Sequence, residues 1–180
     1  MLVFNNRNLK IRNLCTPVKL KNINFQLILG SLSFTVLAWL VMIIISFFMY
    51  GSYMLTGKGL LLLLNSFIFS LASVSIGFLV GNIVKSKNTM SVASNVIVLG
   101  TCFISGVFVE QSLLSKQVLK LASFTPNYWY VKANNGIVAL SGYSLESLSS
   151  IFLNMLVVMG FAVSILLVTL VIIKQKRLSN

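Results

Sequence analysis

The residues able to do chemistry are few, and their scarcity excludes more than it suggests. The chain has no His, and its only two acids, Glu110 and Glu146, stand against fourteen Lys and Arg. Catalysis or metal ligation by histidine is therefore impossible. Cys15 lies in a basic stretch and Cys102 in an apolar one, which is neither a disulfide framework nor a metal site. The stretch "GSYMLTGKGL" (residues 51–60) invites a phosphate-loop reading and fails twice. Five residues separate Gly51 from Gly57 where the motif has four, and Gly59 stands where it needs Ser or Thr. A polar turn is what remains. Ser31, Ser33, Ser70, Ser73, Ser75, Ser105 and Ser164 have no base near them in sequence, so they read as polar residues of packed helices rather than as activated nucleophiles. No catalytic residue, cofactor or metal ligand follows from this inventory.

The elements that carry these residues explain the scarcity. Of 180 residues, 57% are hydrophobic and 9% charged, against roughly 45–50% and about 25% in soluble domains. A soluble core of this size cannot hide that excess, so the class is membrane. Four uncharged runs reach the ~20 residues a spanning helix needs: residues 25–50, 59–83, 90–109 and 148–173. None contains Lys or Arg, each of which costs about 2.5–3.5 kcal/mol at a helix centre. The first run follows a basic segment, as in a signal peptide, but is too long for one and is read as a retained span. The expected fold is an all-α integral membrane protein, with four transmembrane helices and short re-entrant or interfacial helices before the last span.

The positive charges cluster between the spans, which fits a membrane topology rather than nucleic-acid binding. With the N-terminus inside, ten Lys and Arg fall on the inner segments and four (Lys58, Lys116, Lys120, Lys132) on the outer ones. Both termini are then cytoplasmic, with residues 1–24 a basic cytoplasmic segment and 174–180 a cytoplasmic tail. Proton- or ion-coupled transport usually needs an ionisable group inside the membrane. The runs contain none, so energy for any transport is expected from another polypeptide.

Two local patterns stand out. Ser73, Gly77 and Gly81 recur every four residues on one face of the second run, where a neighbouring helix backbone can approach closely. Residues 110–147 separate the last two runs, too many for a simple turn, and outer re-entrant helices are expected over residues 112–141. Within "SLLSKQVLKLAS", Leu113, Leu114, Gln117, Val118 and Leu121 are expected on one helical face, with Lys116 and Lys120 on another. Thr125-Pro126 then breaks and restarts the helix, with Thr125 as N-cap and Pro126 at the first position. Tyr128, Trp129 and Tyr130 follow as interface anchors, with Lys132 snorkelling beside them. Asn134, Asn135 and Gly136 are expected to weaken the helix, and Gly142 to end it. Asn65, Asn95 and Asn154 either line a path or hydrogen-bond between helices.

The order of these features resembles the membrane permeases of ABC-2 type export systems. "FISGVFVEQSLLSKQVLKLASFTPNYW" (residues 103–129) is similar to the family's signature: a span ending in Ser-Gly and an aromatic, a leucine-rich helix, then Thr/Ser-Pro and an aromatic. Ser105, Gly106, Phe108, Leu113, Leu114, Thr125, Pro126 and Trp129 match. Val109-Glu110 and Ser115 stand where the family often has prolines. Upstream, "KIRNLCTPVKLKN" (residues 10–22) resembles the family's cytoplasmic loop through Arg12, Leu14, Thr16 and Pro17.

The resemblance implies a permease subunit of an ATP-driven exporter of drugs, peptides, lipids or polysaccharides in a bacterial cell membrane. It is not itself an enzyme, and its partners are a cytoplasmic ABC ATPase subunit and a second permease subunit. Arg12, Leu14, Thr16 and Pro17 would belong to the surface coupled to the ATPase. Ser105, Gly106, Phe108, Thr125, Pro126, Tyr128 and Trp129 would belong to an outer re-entrant gate. Family members have six spans, and the four runs correspond to their third to sixth. Two other readings compete: a non-transporting four-span protein such as a bacteriocin immunity protein, and a decayed permease fragment.

Overall fold

The computed structural model describes residues 20–84, 86–142 and 144–178. The expected coupling residues Arg12, Leu14, Thr16 and Pro17 lie outside them. The described chain is helical and contains no strand. Helix α1 (Leu20–Tyr50) passes through a 3-10 turn (Gly51–Leu55) into α2 (Gly57–Ile83). Helix α3 is Lys87–Ser105, α4 is Lys116–Ala122, α5 is Pro126–Val138 and α6 is Leu145–Leu178. A short 3-10 segment, Gln111–Leu113, lies between α3 and α4.

Four of these helices, α1, α2, α3 and α6, are long and apolar enough to cross a membrane. The chain is an all-α integral membrane protein. Helix α1 has 31 residues and α6 has 34, about 45 and 50 Å, more than the ~30 Å hydrocarbon layer. Helix α3 stops at Ser105, short of residue 109, because Gly106 takes the left-handed conformation (φ 95°) and caps it.

The first connection is tight. Thr56 caps α2 by accepting from the Gly59 N–H (3.3 Å), and its hydroxyl donates to the Tyr53 carbonyl. A Cβ at Gly59 would lie 2.5 Å from that same carbonyl oxygen, so only glycine lets the turn pack on the first turn of α2.

The core is a three-helix contact. Ala133 and Ile137 of α5, with Leu140 beyond it, are buried against Ile151 and Met155 of α6 and flanked by Leu61, Leu62 and Ile68 of α2. Further along, Ala72 of α2 meets Val158 and Ala162 of α6, with Trp129 and Tyr130 packed over them. Ala72, Ala133 and Val158 are fully buried, and such small residues let backbones approach closely in lipid. On α2 the buried stripe is Asn65, Ala72 and Ser75. Gly81 is also buried, but Ser73 and Gly77 lie on an exposed face, and a Cβ at Gly77 would meet nothing within 4 Å. Helices α1 and α3 lie outside this core: the most apolar stretch of α1 has no buried residue.

Candidate functional site: a re-entrant helix held by carboxamides

The segment between α3 and α6 turns back into the bundle. It begins at Gly106, whose positive φ reverses the chain. Glutamine 111 closes this reversal. Its Nε2 donates to the Ser105 carbonyl (2.8 Å), at the end of α3, and to the Tyr128 carbonyl (3.2 Å), inside α5. A Cβ at Gly106 would overlap the Gln111 Cγ, so glycine is required there twice, by dihedral angle and by contact. Ser105 is fully buried beneath this staple, while Phe108 is exposed and packs on Phe103 (4.9 Å between ring centres).

Helix α4 begins at Ser115, whose hydroxyl accepts from the Val118 N–H (3.4 Å). Leu113 and Leu114 therefore precede the helix. The face turned to the protein is Val118, Leu119 and Ala122, whereas Leu113, Gln117 and Leu121 point outward with Phe124. This corrects the expected face of Leu113, Leu114, Gln117, Val118 and Leu121. Lipid is as apolar as the protein interior, so a leucine on either side meets a suitable medium.

The break falls at Thr125, and Pro126 opens α5 at its first turn. The Thr125 hydroxyl does not cap α5. It donates back to the Ala122 carbonyl (2.7 Å), closing the end of α4. Pro126 and Asn127 are buried, and Asn127 Nδ2 donates to Thr101 Oγ1 (3.2 Å) and Cys102 Sγ (3.6 Å) on α3.

The three aromatics after the break divide their roles. Tyr128 and Trp129 make an edge contact, and Lys132 Nζ lies 5.1 Å from the Trp129 ring centre, within cation–π range. The Trp129 indole donates to the Ser123 carbonyl (2.8 Å). Tyr130 turns inward and stacks on Phe69 of α2 (4.3 Å), so it is a packing residue rather than an interface anchor. Since Trp129 and Tyr130 reach Ala72, near the middle of α2, the start of α5 sits well inside the bundle.

The strongest polar tie is one that sequence reasoning left open. Asn65 of α2 is fully buried, and its Nδ2 donates to the Tyr130 carbonyl (3.1 Å) and to Asn134 Oδ1 (2.8 Å), one turn apart on α5. It hydrogen-bonds between helices. Its own Oδ1 is buried without a partner among the described residues. Asn134 and Gly136 therefore do not weaken the helix: α5 runs on to Val138, where Lys58 Nζ donates to the last carbonyl (3.2 Å). The signal available in sequence was a carboxamide inside an otherwise apolar run, where an unpaired amide is costly. Its partner lies 69 positions away and leaves no local trace.

Among the described residues no group of three His, Cys, Asp or Glu could hold a metal ion. What the arrangement offers is a short helix inserted between α2, α3 and α6 and tied at three levels. A family model described as "ABC-2 type transporter" matches residues 1–138, a match that ends at the last residue of α5. No curated protein and no solved structure matches the chain. With more than half of the chain matched and four membrane-length helices, the protein belongs to the ABC-2 type transporter family.

Proposed function

We propose that the chain is the membrane-spanning permease subunit of an ATP-driven ABC exporter in a bacterial cell membrane. In this reading both termini are cytoplasmic and two permease subunits stand side by side. A separate ABC ATPase subunit hydrolyses ATP beneath them and meets the segment with Arg12, Leu14, Thr16 and Pro17. No nucleic acid is involved. Helices α4 and α5 form an outer gate, which includes Ser105, Gly106, Phe108, Thr125, Pro126, Tyr128 and Trp129. The partner shifts the population between inward and outward states.

The observation that supports it best is the suspension of α5. A helix bound to α3 through Gln111 and Asn127, and to α2 through Asn65, responds when those two helices move relative to each other. The absence of Asp, Glu, His, Lys and Arg from the four runs in the sequence also favours a drive from outside the chain.

The test is capture of the tagged full chain from its native membranes, followed by ATP hydrolysis in the captured complex. An ABC ATPase subunit should co-purify, and Arg12→Ala should lower its hydrolysis rate. Pro126→Ala should keep the ATPase bound while changing how hydrolysis responds to the membrane subunit. A chain captured repeatedly without any ATPase subunit would contradict the reading.

A further inference from the structure

An open groove of about 580 Å³ runs between helices α1 and α2. It lies along the middle of both helices, at bilayer depth if they span. One wall carries Thr35, Trp39 and Ser46, and the other Ser66, Ser70 and Ser73. Phe69 and Tyr130, stacked on each other, also line it.

The serine and threonine protons of these walls are already used, as is common for hydroxyls within helices. Thr35 donates to the Ser31 carbonyl (2.8 Å), Ser46 to Met42 (2.8 Å) and Ser66 to Leu63 (2.8 Å). Ser70 donates to Phe67 (2.7 Å) and Ser73 to Phe69 (3.0 Å). The Trp39 indole N–H is also engaged, donating to Ser66 Oγ (3.0 Å). A hydroxyl whose one proton is committed still offers its oxygen lone pairs. The groove thus presents serine and threonine acceptors and aromatic faces, with the Tyr130 hydroxyl as a further polar group. Among the described residues no Lys, Arg, Asp or Glu lines it, so a charged occupant would sit at bilayer depth without a counter-ion, at high cost.

We propose that the α1–α2 groove binds an uncharged amphipath that enters from the lipid and donates hydrogen bonds, through a hydroxyl or amide N–H, to the serine and threonine oxygens. Its apolar body lies against Trp39, Phe69 and Tyr130. This goes beyond the export reading and does not depend on it, because binding requires no ATPase and no ATP.

The experiment uses the full chain in lipid nanodiscs, with 1-pyrenebutanol and its methyl ether as probes. The two differ chiefly in the donor. Binding is followed by pyrene anisotropy, with empty discs subtracted. The alcohol should bind saturably and the ether about tenfold more weakly, the effect of losing one hydrogen bond in a dry site. Ser70→Ala with Ser73→Ala should bring the alcohol-to-ether ratio toward one. Because the ratio is internal to each preparation, a loss of folded protein does not mimic this result. Ala38→Phe, which fills the groove, should abolish binding of both probes. Equal wild-type affinities, or a ratio unchanged by the serine variants, would overturn the proposal. So would no saturable binding of either probe, the outcome if another protein surface covers the groove.

Discussion

Helices α5 and α1 have opposite relations to the bundle. Helix α5 has only 13 residues, two of them adjacent asparagines, yet Ala133 and Ile137 are fully buried. Helix α1 has 31 residues and is apolar almost throughout, yet Phe34 is 73% and Phe48 86% exposed. In water the apolar helix would be the buried one. In lipid there is no such drive, and packing follows small residues and polar ties instead. Helix α5 has both: Ala133 against α6, and Asn134 bonded to Asn65. Among the described residues, α1 is tied to α2 by the Trp39–Ser66 hydrogen bond and the Trp39–Phe67 ring contact.

Six substitutions test that contrast, each read as the stability of the full chain in an SDS unfolding titration. The largest effect is expected from Ile137→Ala, about 2 kcal/mol. That is the low end for emptying a packed site, because lipid rather than water fills the reference state. Leu37→Ala on α1, at 62% exposure, should cost less than about 0.5 kcal/mol; equal losses at the two sites would erase the distinction.

Gly106→Ala comes next, at about 1–2 kcal/mol for a side chain in the left-handed region. Part of that loss comes from the Gln111 contact. Gln111→Ala in the same chain should therefore cost less than in the wild type, and strict additivity would remove the staple from the account.

Asn65→Leu should cost about 1 kcal/mol, the scale of a strong interhelical hydrogen bond in a membrane protein. A stability gain would mean that its unpartnered Oδ1 outweighs the two bonds made by Nδ2. Trp39→Phe should have a small effect, about 0.5 kcal/mol, since it removes one partly exposed bond. A loss as large as that of Ile137→Ala would place α1 in the core after all.

The long helices were legible because the charge-free runs are long, and a buried charge in lipid has no cheap solution. The break at Thr125-Pro126 was legible because proline acts locally on the residue before it. The outward face of α4 was not. Leu113 and Leu121 satisfy lipid as well as protein, and the helix start at Ser115 shifts the register by leaving Leu113 and Leu114 outside it. The inward turn of Tyr130 and the Asn65–Asn134 tie were invisible for another reason: each depends on a partner more than 60 positions away. The stripe Ser73, Gly77 and Gly81 shows the same limit. Its spacing defines a face, but within this chain Ser73 and Gly77 are exposed, while Gly81 is buried along with Asn65, Ala72 and Ser75.

The central claim is that α5 lies inside the bundle, docked on α2. Cross-linking of Asn65→Cys to Asn134→Cys by a short bifunctional thiol reagent tests it most directly, in membrane vesicles holding the full chain with Cys15 and Cys102 replaced by Ser. The side-chain tips of Asn65 and Asn134 meet at 2.8 Å, so the reagent should bridge this pair rapidly and leave an Asn65→Cys, Asn135→Cys control mostly unlinked, because Asn135 is exposed. Equal cross-linking of the two pairs, or none in either, would contradict the docked position of α5.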